Sequence, residues 1–173
     1  MLRYAVRYNG VDWEKIGVVN AGSAEAMAAA FRGGTADFVH LQAPAPQLIE
    51  EAGAGFTAVS VGVSMPPNAF STLCASREFI AGPVFPLFVK AFSEAKEWVR
   101  EASPEEIASK EASYFPGVSA SALVSAIAQY KSIGAWSGGA EIPRDLYEQS
   151  LNVFETTGAV RQRHQYEAVC WPL

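Results

Sequence analysis

Reactive side chains are scarce in this chain of 173 residues, which holds two cysteines and two histidines. There is no Cys-x-x-Cys, and His40 and His164 are the only imidazoles, so zinc-type spacing is absent. Cys74 and Cys170 are expected to be free and mostly buried thiols. Long apolar runs are missing too: none approaches the ~20 residues that a membrane span needs. The opening "MLRYAVRYNG" is amphipathic and lacks the apolar centre of a signal peptide, so the chain as written is expected to stay in the cytoplasm. Basic residues are in deficit, 13 Lys and Arg against 18 Asp and Glu, for a net charge of -5. No basic stripe with interleaved aromatics occurs, which argues against a nucleic-acid partner.

Motifs for chemistry are equally thin. There is no Gly-x-Ser-x-Gly, no phosphate-binding loop and no helix with paired histidines, and "GGTAD" at 33–37 lacks the third glycine of a dinucleotide fingerprint. An enzyme is not expected, nor a cofactor or a resident metal. His40 and Asp37 read first as packing and turn residues; Trp13, Trp98 and Trp171 read as core or rim. Trp136, in a glycine-rich loop, suits packing and ligand contact equally.

What is present is apolar patterning, with 50% hydrophobic residues. Residues 2–8 predict a helix stopped by Asn9-Gly10. Val18 and Val19 then suggest a strand over 16–20. Ser23 can cap a helix over 24–32, and Gly33-Gly34 can end it. Further strands are expected over 36–42, 56–63 and 70–75, with a short helix over 46–52 after paired prolines. From residue 85 the texture changes. Phe85, Phe88, Val89, Phe92 and Val99 recur at helical spacing, "SPEE" opens another helix at 103–106, and 119–132 and 143–156 predict two more. The expected architecture is an α/β domain over 1–80 with a short, mostly parallel sheet, followed by a helical part over 81–173.

In a βαβ arrangement ligands meet the carboxyl ends of strands. That makes the turn at 20–23 the strongest candidate site, since backbone N–H groups at a helix start lack internal partners. Glu25 in the same first turn disfavours a bare anion there and suits a neutral or zwitterionic ligand.

The segments "YAVRYNGVDWEKIGVVNAGSAEAMAAAFRGGTADFVHLQAPAP", "NAFSTLCASREFI", "WVREASPEEIA" and "IPRDLYEQSLNVFETTGAV" follow one another in an order that resembles the nitrate, sulfonate, taurine and thiamine-precursor family of periplasmic solute-binding proteins serving ABC importers. The resemblance spans nearly the whole chain and rests on the order of segments. It implies a periplasmic-binding-protein-like (type II) lobe, the second of two, with the first lobe missing. Carried over by position, Asn20, Gly22 and Ser23 fall on the ligand-facing turn, Gln42 and Pro44 where the second strand meets the cleft, and Phe70 and Ser71 near the crossing between lobes. The implied function is binding of a small organic solute, such as a sulfonate, a taurine-like compound or a thiamine pyrimidine precursor, for delivery to an ABC permease. The family is periplasmic. The alternatives are an enzyme like the thiamine-pyrimidine synthases and an interaction module that binds no solute. The apolar stripe at 85–92 and the helices at 119–132 and 143–156 are expected to be covered by a second copy, giving a homodimer with exchanged segments.

Overall fold

The computed structural model describes residues 1–172, and among them the regular structure is helical throughout. The helices are α1 (Leu2–Tyr8), α2 (Ala24–Arg32), α3 (Ala45–Glu51), α4 (Arg77–Ala81), α5 (Val84–Glu101), α6 (Pro104–Glu111), α7 (Ala120–Ser132), α8 (Arg144–Thr156) and α9 (Tyr166–Val169). Three 3-10 turns accompany them at Trp13–Lys15, Val61–Val63 and Ala112–Tyr114.

Local chemistry starts and stops these helices. Ser23 Oγ accepts the Ala26 N–H at 3.2 Å, and Gly34 leaves α2 with a φ of +74° that a Cβ would resist. At α6 the Ser103 hydroxyl accepts from Glu106 N–H while the Glu106 carboxylate accepts from Ser103 N–H, at 3.2 and 2.8 Å, behind Pro104 in the first turn. Ser119 caps α7 through Ala122 N–H at 3.0 Å, and Ser76 caps α4 through Phe79 N–H at 3.1 Å.

No strand forms among the described residues, which overturns the α/β expectation and with it the short parallel sheet of a type II lobe. Residues 16–20, 36–42, 56–60 and 70–75 are irregular, and Val61–Val63 closes into a 3-10 turn through Val63 N–H to Ser60 O at 3.2 Å. Apolar alternation names residues fit for a pleated surface, but a strand exists only where a neighbour takes its backbone hydrogen bonds. These segments have no such neighbour. Their side chains face water instead: Phe38 is 82% and Phe56 84% exposed.

Three small clusters hold the helices together. Ala102, Ile107, Ala108, Leu123 and Ile127 join α6 to α7, with Trp98 and Val99 of α5 and Trp136 packed against them. Ala5, Met65 and the fully buried Val153 tie α1 to α8. Tyr147, Leu151 and Cys170 hold the chain end on α8, where Tyr147 donates to His164 O at 2.9 Å. Cys170 is buried as expected, whereas Cys74 is exposed; both are free. α3 lies on α7, where the buried Gln47 donates to Gln129 Oε1 at 2.8 Å.

The same α3–α7 junction carries an acid-sensitive contact. The Glu51 carboxylate accepts the Ser119 hydroxyl at 2.7 Å and also the Ser121 hydroxyl, at the start of α7 where backbone N–H groups favour an anion. These bonds, Ser121 first and Ser119 second, hold its pKa below the usual 4.5. A carboxyl depressed in the folded state stabilises fully above its unfolded pKa, and that stabilisation is lost as pH falls through the folded value. Urea midpoints should therefore fall as pH drops below about 4.5, and Glu51→Gln should flatten part of that fall. An unchanged acid limb in Glu51→Gln would show that the contact contributes nothing.

The molecule is open. Its accessible surface is 11529 Å², whereas a compact monomer of this mass exposes about 8,200 Å².

Candidate functional site

The turn before α2 is built from its own residues. Asn20 Oδ1 accepts the Gly22 N–H at 3.2 Å, and Gly22 takes a φ of +89°. The Ser23 hydroxyl is engaged as the helix cap. Glu25 follows at once, its carboxyl held below the usual range by a hydrogen bond with Ser23 and by its own backbone N–H. A free anion would meet that charge; an uncharged or zwitterionic group would not. Asn20, Gly22 and Ser23 are all exposed.

Gln42 and Pro44 stand at the start of the next helix. Gln42 is exposed and its carbonyl accepts Ala45 N–H at 3.2 Å; Pro44 precedes α3, its carbonyl accepting Leu48 N–H at 3.2 Å. The two helices touch, because Gly55 lets Phe31 of α2 and Ile49 of α3 close over it: a Cβ at Gly55 would lie 2.9 Å from Phe31 Cε1. The two turns thus precede a packed helix pair. No hydrogen bond joins one turn to the other among the described residues. Phe70 and Ser71 are exposed and tied elsewhere, since Ala69 donates to Leu146 O at 3.3 Å and accepts the Ser150 hydroxyl at 2.8 Å on α8.

None of these residues lines either of two solvent-open hollows on the helical part. One, of about 420 Å³, is walled by Trp98, Glu105, Glu106, Ser109 and Lys110, with Lys110 Nζ 5.5 Å from the Trp98 ring centroid. The other, of about 160 Å³, is lined by Val99, Arg100, Lys131, Gly134, Trp136 and Ser137. Both of its cations, Arg100 and Lys131, are engaged by backbone carbonyls. Lys131 Nζ donates to Val99 O at 2.9 Å, Arg100 O at 2.9 Å and Ala102 O at 2.6 Å, which uses all three N–H bonds of the ammonium.

The loop over 134–139 is stapled in the same way. Lys96 Nζ reaches Gly139 O at 2.6 Å, and an Arg100 guanidinium nitrogen reaches Gly138 O at 2.9 Å. Trp136 belongs to this staple: it packs on the α6–α7 cluster, and its ring centroid lies 5.6 Å from that of Tyr130. Sequence reasoning missed these three cations. A glycine-rich loop beside cations at helix ends was the available signal.

His40 is exposed, and its pKa is lowered first by partial desolvation and then by the Met1 ammonium. Burial pushes the Cys170 thiol up, away from thiolate chemistry. Among the described residues no three His, Cys, Asp or Glu side chains converge as metal ligands, and no helix is long and apolar enough to cross a membrane. No family model, no curated protein and no solved structure matches this chain.

Proposed function

We propose that the chain is a recognition component without chemistry of its own: a solute-binding part of an ABC importer for a small organic solute, such as a sulfonate, a taurine-like compound or a thiamine pyrimidine precursor. Support comes from the order of segments along the chain, not from the sheet once expected with it. The observation that carries the proposal is the pair of turns, 20–23 with Asn20, Gly22 and Ser23 exposed and 42–44 with Gln42 exposed, that precede two touching helices. The exposed Gln42 amide, which can both donate and accept, suits a neutral or zwitterionic solute. Binding sites bury most of a small ligand's surface, so these turns serve as one wall, and an ABC permease or another chain completes the enclosure.

A second reading, an interaction module that takes no solute, is favoured by the uncovered face of α5. The synthase-like alternative would draw on a cysteine-rich cluster, whereas this chain has Cys74 exposed and Cys170 buried against Tyr147 and Leu151.

Calorimetric titration of the metal-free chain with taurine, a short alkanesulfonate and an aminopyrimidine separates these readings. One of the three should give a saturable heat, and Ser23→Trp should abolish it. The lost cap of α2 costs only about 1 kcal/mol, so the helical signal of the variant should persist. No heat from any of them would favour the interaction module, and unaltered affinity in Ser23→Trp would remove the turn from the site.

A further inference from the structure

Helix α5 is the longest in the chain, and none of its residues is buried. Its C-terminal end reaches the α6–α7 cluster through Trp98 and Val99, and α4 packs beside it. There Phe79 stands edge-on to Phe85 and Phe88, with centroids at 6.1 and 6.3 Å, and Phe88 stacks on Phe92 at 6.3 Å. The rings are ordered on one another; Phe85 and Phe92 are half-buried, while Phe79 and Phe88 still face water, as do Val84 and Leu87, the latter 68% exposed. The other two apolar stripes differ. α7 buries Leu123 and Ile127, and α8 buries Leu151 and Val153, each against elements of the same chain.

We infer that the α4–α5 hairpin is the self-association surface of this protein, packing against the same hairpin of a second copy about a two-fold axis. Charge points to a like partner. Residues 79–89 carry no ionised side chain, so two copies of a protein with net charge -5 meet there without repulsion. The charges at the edges of this stretch are Glu78 and Lys90, the latter paired with Glu94 at 3.9 Å. A membrane surface fits worse: the polar side of α5 mixes Lys90, Lys96 and Arg100 with Glu94, Glu97 and Glu101, whereas a helix lying on anionic lipid presents a basic face. Area allows it: the whole molecule, the hairpin included, exposes about 3,300 Å² more than a compact monomer, and a standard interface removes ~800 Å² from each partner. An isologous dimer is the commonest closed assembly, and side-by-side α5 helices let Leu87 and Phe88 of each copy enter the grooves of the other. The inference holds whether or not the chain binds a solute.

Light scattering across the micromolar range reads the outcome. The expected mass is twice the 18.5 kDa of one chain, and Leu87→Glu with Phe88→Glu should return it to the single-chain value with unchanged far-ultraviolet dichroism. Should that variant misfold, a Cys74→Ser background carrying Leu87→Cys replaces it. Mild oxidation should link two such chains, while Glu105→Cys in the same background stays unlinked. A wild-type mass of one chain overturns the inference. So does a dimer that survives both charges, absence of the Leu87→Cys link, or a monomer that gains mass only on vesicles of anionic lipid or with a different polypeptide.

Discussion

Leu123→Ala should lower the unfolding free energy by about 3 kcal/mol and the thermal midpoint by roughly 6–12 °C. Leu123 is buried where α6 meets α7, among Ala102, Ile107, Ala108 and Ile127, with the end of α5 packed alongside. Removing its isobutyl group loses transfer free energy and leaves a cavity, and helices α6 and α7 are pinned by their own caps, so the site has little freedom to collapse. Leu73→Ala, at an exposed position, should stay within about 0.5 kcal/mol. Thermal melts followed by dichroism check both. A loss below about 1 kcal/mol at Leu123 would mean that the cluster repacks and is not the centre of stability.

Lys131→Met should cost about 2–3 kcal/mol for a different reason. The last carbonyls of a helix have no partner within it. The end of α5 would leave Val99 and Arg100 in that state, together with the buried Ala102 that follows. The Lys131 ammonium satisfies all three and brings positive charge to the negative end of the helix dipole. Methionine keeps the unbranched apolar stem, one atom shorter, and removes every donor. Lys131→Arg should rescue little, because a planar fork cannot replace three converging N–H bonds. Denaturant unfolding measures the loss, and Trp98 and Trp136 at the same junction should report it by fluorescence. A cost under about 1 kcal/mol would mean that water substitutes for the ammonium at these carbonyls.

The helical part of the fold was legible because helix hydrogen bonds run from each residue to one four positions away. Their caps sit within the same few residues. Ser23 with Gly34, Ser103 with Pro104 and Glu106, and Ser119 mark α2, α6 and α7 without reference to anything distant. The Asn20–Gly22 turn was legible on the same terms. The rest depends on neighbours far along the chain. Residues 36–42 and 56–60 have the composition of strands, yet a strand is defined by a partner, and none lies beside them. Without the sheet, Gln42 ends up at a helix start rather than where a strand meets a cleft, and Phe70 follows Ala69, bonded to α8, rather than a crossing between lobes. Whether an apolar stripe is covered is likewise a tertiary matter: α7 and α8 found a core, α5 did not, and their periodicities alone do not tell them apart. Sequence by itself determined where the backbone turns into helix, a local question. Only the tertiary structure decided what each helix lies against, which carbonyls Lys131 reaches and which apolar face stays open, because those depend on pairings that no short window of residues contains.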